Sequence, residues 1–134
     1  MKKDIKIPKV ENVTLAVACT INKLNQEEWS VHLINRNEYD IENTLVSSTG
    51  YGEQDGEQQK TSTLRHFLET VPARSSILIE PITADIFHLN NEFWVSYYVD
   101  GRIYDKKFIF LPDTIKEENL IYIKELDTKG VLHS

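Results

Sequence analysis

The sequence is short of several residue types, and each shortage excludes a class of protein. It has one cysteine, Cys19, which excludes an intrachain disulfide framework and a zinc site with several cysteine ligands. It has no apolar run of the about 20 residues that a membrane-spanning helix needs. Basic residues number 15 against 21 acidic ones, and the formal net charge of −6 argues against general affinity for nucleic acid or anionic membranes.

Length and N-terminal composition bound the organisation of the chain. A sequence of 134 residues fits one domain, 1–134, with one hydrophobic core. Charged residues at positions 4, 6, 9 and 11 interrupt the apolar residues of the N-terminus. We therefore expect no secretion signal and a cytoplasmic protein.

Motifs of the common enzyme classes are missing. The sequence lacks the glycine-rich phosphate loops, the G-x-S-x-G nucleophile motif, the H-E-x-x-H zinc motif and the EF-hand loop. No two of the four histidines, His32, His66, His88 and His133, have metal-ligand spacing. We predict no catalytic residue, no metal site and no cofactor.

The strongest structural signal is Asp100-Gly101, which separates two runs of β-branched and aromatic residues. Asp-Gly favours a two-residue type I′ turn, because both central positions need a positive φ. Such a turn pairs Trp94 with Lys107 and Tyr98 with Ile103. We assign the other face of this hairpin to the core, and it carries Phe93, Val95, Tyr97, Val99, Tyr104, Phe108 and Phe110.

Further strand-like segments recur along the chain with turn signals between them. They lie at 13–21, 29–35, 44–54, 57–68, 76–80, 120–125 and 129–132. Pro81 is expected to end one strand, and Thr83 and Thr114 are expected to cap short helical turns near 83–89 and 114–119. The pattern predicts an all-β antiparallel β-sandwich of immunoglobulin-like architecture with one or two short helical turns, and a small barrel is the rival.

The segment after Asp55-Gly56 fits two structures. Four apolar residues between positions 64 and 71 have helical spacing, whereas the Asp-Gly turn and the Thr-Ser-Thr run favour a strand. We favour the strand, and whether the tip at 52–60 is ordered stays open. A two-residue turn would then place Ser48 opposite Thr63, Thr49 opposite Ser62, Arg65 opposite Val46 and His66 opposite Leu45.

Two surfaces are candidate binding sites. The outer face of the central hairpin carries Trp94, Tyr98, Ile103 and Lys107, which is richer in aromatic and apolar residues than solvation requires. The alternative interpretation is that the C-terminal strand or the turn at 83–89 covers this face.

The alternative is a ligand site on the hairpin between Gly50 and Arg65. Tyr51, Arg65 and His66 would form it, although neighbouring residues of a strand point to opposite faces.

Four stretches carry a family resemblance: SSTGYGEQDGEQQKTSTLRHF at 47–67, VPARS and IEPI within 71–82, NNEFWVSYYVDGRIYDKKFIF at 90–110, and the C-terminal KGVLHS. Over nearly its whole length the chain resembles a small uncharacterised bacterial family, some members of which carry the label phenylalanyl-tRNA synthetase subunit. The resemblance implies a bacterial protein and a translation-associated factor. It supplies no catalytic residues.

Three functional hypotheses follow. The leading one is a non-catalytic intracellular module that binds a protein partner or self-associates, with no nucleic-acid or membrane partner. The second is a small-molecule or nucleotide-binding protein, or a weak enzyme, that uses the hairpin between Gly50 and Arg65. The third is the translation-associated factor that the family label suggests.

Overall fold

The computed structural model describes residues 9–134, which form ten β-strands and three single 3-10 turns. The strands are β1 (Val13–Ile21), β2 (Glu27–Asn35), β3 (Ile41–Gln54), β4 (Glu57–Lys60), β5 (Leu64–Val71), β6 (Ser75–Ile82), β7 (Asn90–Val99), β8 (Arg102–Phe110), β9 (Ile121–Ile123) and β10 (Thr128–His133). The 3-10 turns are Ala84–Ile86, Glu117–Asn119 and Lys124–Leu126, where the sequence predicted one or two. Residues 1–8, which carry part of the argument against a secretion signal, lie outside the described residues.

The strands form two antiparallel sheets. The first sheet has the order β6-β2-β1-β10-β9, and the second has the order β4-β3-β7-β8, with β5 also paired to β3. Alternate residues of both sheets meet in one core, which includes Leu15, Val17, Val31, Leu33, Val46, Phe93, Val95, Tyr97 and Phe108. The prediction of an all-β antiparallel sandwich is confirmed, and the immunoglobulin-like architecture stays a prediction. None of the described residues form a helix long and apolar enough to span a membrane.

Both Asp-Gly hairpins form as the sequence predicts. The φ angles are 51° at Asp100 and 73° at Gly101, and both residues of Asp55-Gly56 also have positive φ. The β7–β8 register pairs Trp94 with Lys107, as a two-residue turn requires. The predicted core face of this hairpin is buried or half-buried, apart from the exposed Arg102 next to the turn.

β5 is a strand, but it pairs one residue out of the predicted register. The Thr61 N–H donates to the Gly50 carbonyl and the Gly50 N–H donates to the Thr61 hydroxyl, both at 2.8 Å, so Thr61 still lies opposite Gly50 as in the β4 register. An extra residue then enters the chain before Leu64, and His66 lies opposite Val46 instead of Leu45. Because a one-residue slip turns every side chain to the other face, His66 points inward and not outward.

The same slip makes the other predicted pairs wrong. Ser48 lies opposite Leu64 and not opposite Thr63, and Arg65 lies opposite Ser47 and not opposite Val46. The predicted Thr49–Ser62 pair is replaced by a contact of 2.8 Å between the hydroxyls of Thr49 and Thr63.

Two local predictions between positions 80 and 115 are wrong, and Thr83 is the N-cap residue of its 3-10 turn, as predicted, but without a capping hydrogen bond. Pro81 does not end β6, because β6 is an edge strand that tolerates proline and Pro81 lies opposite Ser30 within it. The Thr83 hydroxyl bonds the Asp85 carboxylate instead of capping a backbone N–H. The Thr114 hydroxyl donates to a backbone carbonyl 2.7 Å away and caps nothing either.

The segment 121–126 covers part of the outer side of the first sheet. Ile123 packs there against Ala16 and Ile34, and all three are buried. Arg36 donates hydrogen bonds to both carboxylate oxygens of Glu125 in the adjoining 3-10 turn. These hydrogen bonds hold the pKa of the Glu125 carboxyl below its ordinary value.

We expect Glu125→Gln to lower the free energy of unfolding at neutral pH by up to about 1 kcal/mol, the upper range for a solvent-accessible ion pair. Folding lowers the pKa of Glu125, so its contribution is present above the ordinary glutamate pKa of about 4.3 and is lost as the pH falls through the folded value. Urea unfolding of wild type and variant at neutral and at acidic pH measures the difference, which should vanish in acid.

Glu118→Gln is the matched control, because Glu118 pairs with Lys116 on the exposed surface and covers no buried layer. We expect this control to change stability by less than Glu125→Gln. An equal loss in both variants, or a loss at Glu125 that persists in acid, would contradict a specific role for the Arg36–Glu125 pair.

Candidate functional site

The outer face of the second sheet is open to solvent at the centre of the β7–β8 hairpin. The register places Trp94 beside Lys107 and Tyr98 beside Ile103 on this face, as the sequence predicts. All four side chains are exposed, so no described part of the chain covers them. The Lys107 ammonium lies 5.8 Å from the centre of the Trp94 ring, which is within cation–π range.

Two large apolar residues that the sequence analysis missed extend this face. Leu45 of β3 lies opposite Ser96 of β7, and Phe67 of β5 lies opposite Leu45. The predicted register put His66 at that position, so the slip after Thr61 brings Phe67 outward. Helical spacing around Phe67 in the sequence concealed this placement.

These five residues form the outer patch: Leu45, Phe67, Trp94, Tyr98 and Ile103. Each is 38–57% exposed, although each is a large hydrophobic residue. They span four adjacent strands, β5, β3, β7 and β8, and directly opposite residues in a sheet stand about 5 Å apart. The outer patch is therefore continuous rather than a scatter of single exposed residues.

Charged residues of opposite sign border the outer patch in two neighbouring rows. Arg65 and Lys107 lie in the cross-strand row that contains Trp94, and Asp105 lies in the neighbouring row with Ser96. Lys107 has a distant ion-pair contact of 3.8 Å with Glu92. Arg65 and Asp105 form no ion pair with any residue between positions 9 and 134.

The three residues of the alternative ligand site do not come together. Tyr51 and Arg65 both lie on the second sheet, but Arg65 is opposite Ser47, four residues or about 13 Å along β3 from Tyr51. His66 points to the other face of the sheet. Distance along the strands separates Tyr51 from Arg65, and strand alternation places His66 on the opposite face, so the three side chains do not converge.

His66 instead takes part in a cluster that joins the two sheets. Its Nε2 lies 2.9 Å from Oε1 of Glu80 on β6, and the Ser48 hydroxyl donates to the same oxygen at 2.7 Å. The Glu80 side chain is only 11% exposed. Glutamate, not histidine, contacts the serine, so the arrangement lacks the serine–histidine–carboxylate order of a catalytic triad.

A narrow cleft lies beside this cluster at the open edge of the sandwich. Its volume is about 220 Å³, and its polar lining consists of Ser48, Thr49, Thr61, Ser62, Thr83, Glu80, Asn91 and Glu92. Small-molecule sites usually measure about 300–1,000 Å³. The cleft is therefore smaller than most small-molecule sites.

A wider groove of about 910 Å³ follows β2 and β6 on the first sheet. Ser30 and His32 lie on one face of β2, and the Ser30 hydroxyl is 2.8 Å from the Nε2 of His32. Burial lowers the pKa of His32. Among the described residues no third side chain bonds the other ring nitrogen, so the pair lacks the orienting group of a nucleophilic triad. The i, i+2 spacing of Ser30 and His32 was the sequence signal for this pair.

The comparisons with known proteins assign no function to these surfaces. No protein-family model matches the chain, and no curated protein or solved structure is similar enough to be matched. No cluster of three potential metal ligands occurs within residues 9–134. The family resemblance of the sequence stays a prediction.

Truncation of Glu80 tests whether the inter-sheet cluster is structural. We expect Glu80→Ala to lower the free energy of unfolding by about 1–3 kcal/mol, because it leaves the buried Ser48 hydroxyl without its acceptor. Glu80→Gln keeps an oxygen acceptor and should lose clearly less. Urea unfolding of the two variants measures this difference, and equal stability of both would contradict the proposed hydrogen-bond role.

Proposed function

We propose that the chain is a non-catalytic protein-binding or assembly module, and that the outer patch is its contact surface. The observation that supports this proposal is the continuous exposure of five large apolar residues on one sheet face. Contiguous apolar surface of this kind marks interaction sites in folded proteins.

The composition of the outer patch also favours a protein partner. Trp and Tyr dominate the binding energy of protein interfaces, because they bury much area and lose little side-chain entropy. Trp94 and Tyr98 lie four residues apart on β7. Leu45 of the neighbouring strand β3 lies opposite Ser96, midway between them. A partner that covers this point would contact all three side chains.

The charges around the outer patch favour protein over nucleic acid. Its two cations, Arg65 and Lys107, are accompanied by Asp105 and Glu92 on the same face. A surface that binds the phosphate backbone needs an excess of cations, and the chain as a whole carries −6. Mixed charge around an apolar centre is the pattern of a protein interface rim.

Truncation of Trp94 tests the proposal in cell extract. We expect the wild-type chain to elute from size exclusion in a complex larger than the monomer, either in cell extract or, where the partner is a second copy, when purified at about 500 μM. Trp94→Ala should shift it toward the monomer, because truncation of a central interface tryptophan commonly costs at least about 2 kcal/mol of binding.

Leu78→Ala is the matched control, since Leu78 is an apolar residue of comparable exposure on the first sheet. Far-UV circular dichroism of both variants checks that they fold. The proposal fails if the wild-type chain elutes as a monomer under both conditions, or if Trp94→Ala leaves the complex intact.

A further inference from the structure

The outer face of the second sheet is self-complementary in its charges and shapes. Two neighbouring cross-strand rows run across β5, β3, β7 and β8. One row is Phe67, Leu45, Ser96 and Asp105, and the next is Arg65, Ser47, Trp94 and Lys107. At the β8 end, the first row carries the Asp105 carboxylate and the second row carries the Lys107 ammonium. At the β5 end, the first row carries the Phe67 ring and the second row carries the Arg65 guanidinium.

A twofold axis that runs across the strands, midway between the two rows, places the opposite groups of the two rows face to face. Rotation about such an axis stacks a second copy face to face and lays each row over the other row of its partner. Asp105 then faces Lys107 of the second copy, and Phe67 faces Arg65. The rotation also brings Ile103, beyond the first row, over Ile109, beyond the second.

The larger side chains also fit this arrangement. Trp94 would stand over Ser96 of the second copy, and Leu45 over Ser47, so these two bulky residues each face a small one. Asp105 and Arg65, which have no ionic partner among residues 9–134, would each gain a cationic or aromatic partner. Guanidinium over an aromatic ring and a carboxylate near an ammonium are both attractive contacts.

We propose that the occupant of the outer patch is a second copy of this chain, stacked about this twofold axis. The inference rests on the proposed function and names its partner. Four strands about 4.8 Å apart and seven residues at about 3.4 Å give a face of roughly 450 Å² per copy. Twice this area falls below the about 1,200 Å² of stable interfaces, so the dimer is weak and depends on concentration.

Sedimentation velocity of the purified chain tests the dimer directly. Between about 1 μM and about 500 μM, a range that brackets weak association, the wild-type sedimentation coefficient should rise from that of a monomer toward that of a dimer. A coefficient that stays monomeric over the whole range overturns the inference.

Charge reversal tests the orientation of the two copies. Asp105→Lys places two lysines opposite each other twice in the dimer, and Lys107→Asp does the same with two aspartates. Each variant alone should therefore dimerise about tenfold or more weakly than wild type, because like charges then meet across the interface. Lys129→Asp, an exposed lysine on β10 of the first sheet, is the control and should dimerise like wild type.

An equimolar mixture of the two charge variants gives the sharpest outcome. In the mixed pair, two lysines of one chain face two aspartates of the other, so association should recover while each variant alone stays monomeric. A mixture that stays monomeric overturns the twofold arrangement. If the purified wild type is monomeric but Trp94→Ala still dissolves the complex in cell extract, the second copy is refuted and the proposed function stands.

Discussion

The structure depends on the register of the β7–β8 hairpin, which the Asp100-Gly101 turn sets. Side chains alternate between the two faces of a strand, so this register decides which residues enter the core and which stay outside. It sends Phe93, Val95 and Tyr97 inward to the first sheet and Trp94 and Tyr98 outward to solvent. A slip of one residue would bury Trp94 beside a lysine and expose three core side chains, which the core could not tolerate.

β3 extends the register of the β7–β8 hairpin to the rest of the second sheet. It is 14 residues long and pairs with β7 along one side and with β4 and then β5 along the other. The extra residue after Thr61 reverses the facing of β5 relative to β4. Its two consequences lie on opposite sides of the sheet: His66 turns inward to Glu80, and Phe67 turns outward to complete the outer patch. One local irregularity thus builds both the link between the sheets and the surface that we propose for association.

The sequence predicted what short-range physics determines and missed what distant contacts determine. The two Asp-Gly turns and the composition of the β7–β8 core face are local, and they were correct. The slip lies between Thr61, which still bonds Gly50, and Leu64, which pairs with Ser48, and Pro81 stays within β6 because β6 is an edge strand. Neither fact is visible in a sequence window. The outer patch was therefore predicted only in its β7–β8 half, without Leu45 and Phe67.

Fluorine NMR of the chain labelled with 5-fluorotryptophan tests the central claim, that the outer patch is buried by association. The chain has two tryptophans, and Trp29 packs edge-on against Phe87 away from the outer patch, so it is an internal reference. On concentrating the protein, the Trp94 resonance should shift and lose its response to a soluble paramagnetic relaxation agent, while the Trp29 resonance stays fixed. A Trp94 resonance that is equally accessible at all concentrations, or one that moves together with Trp29, would contradict the account.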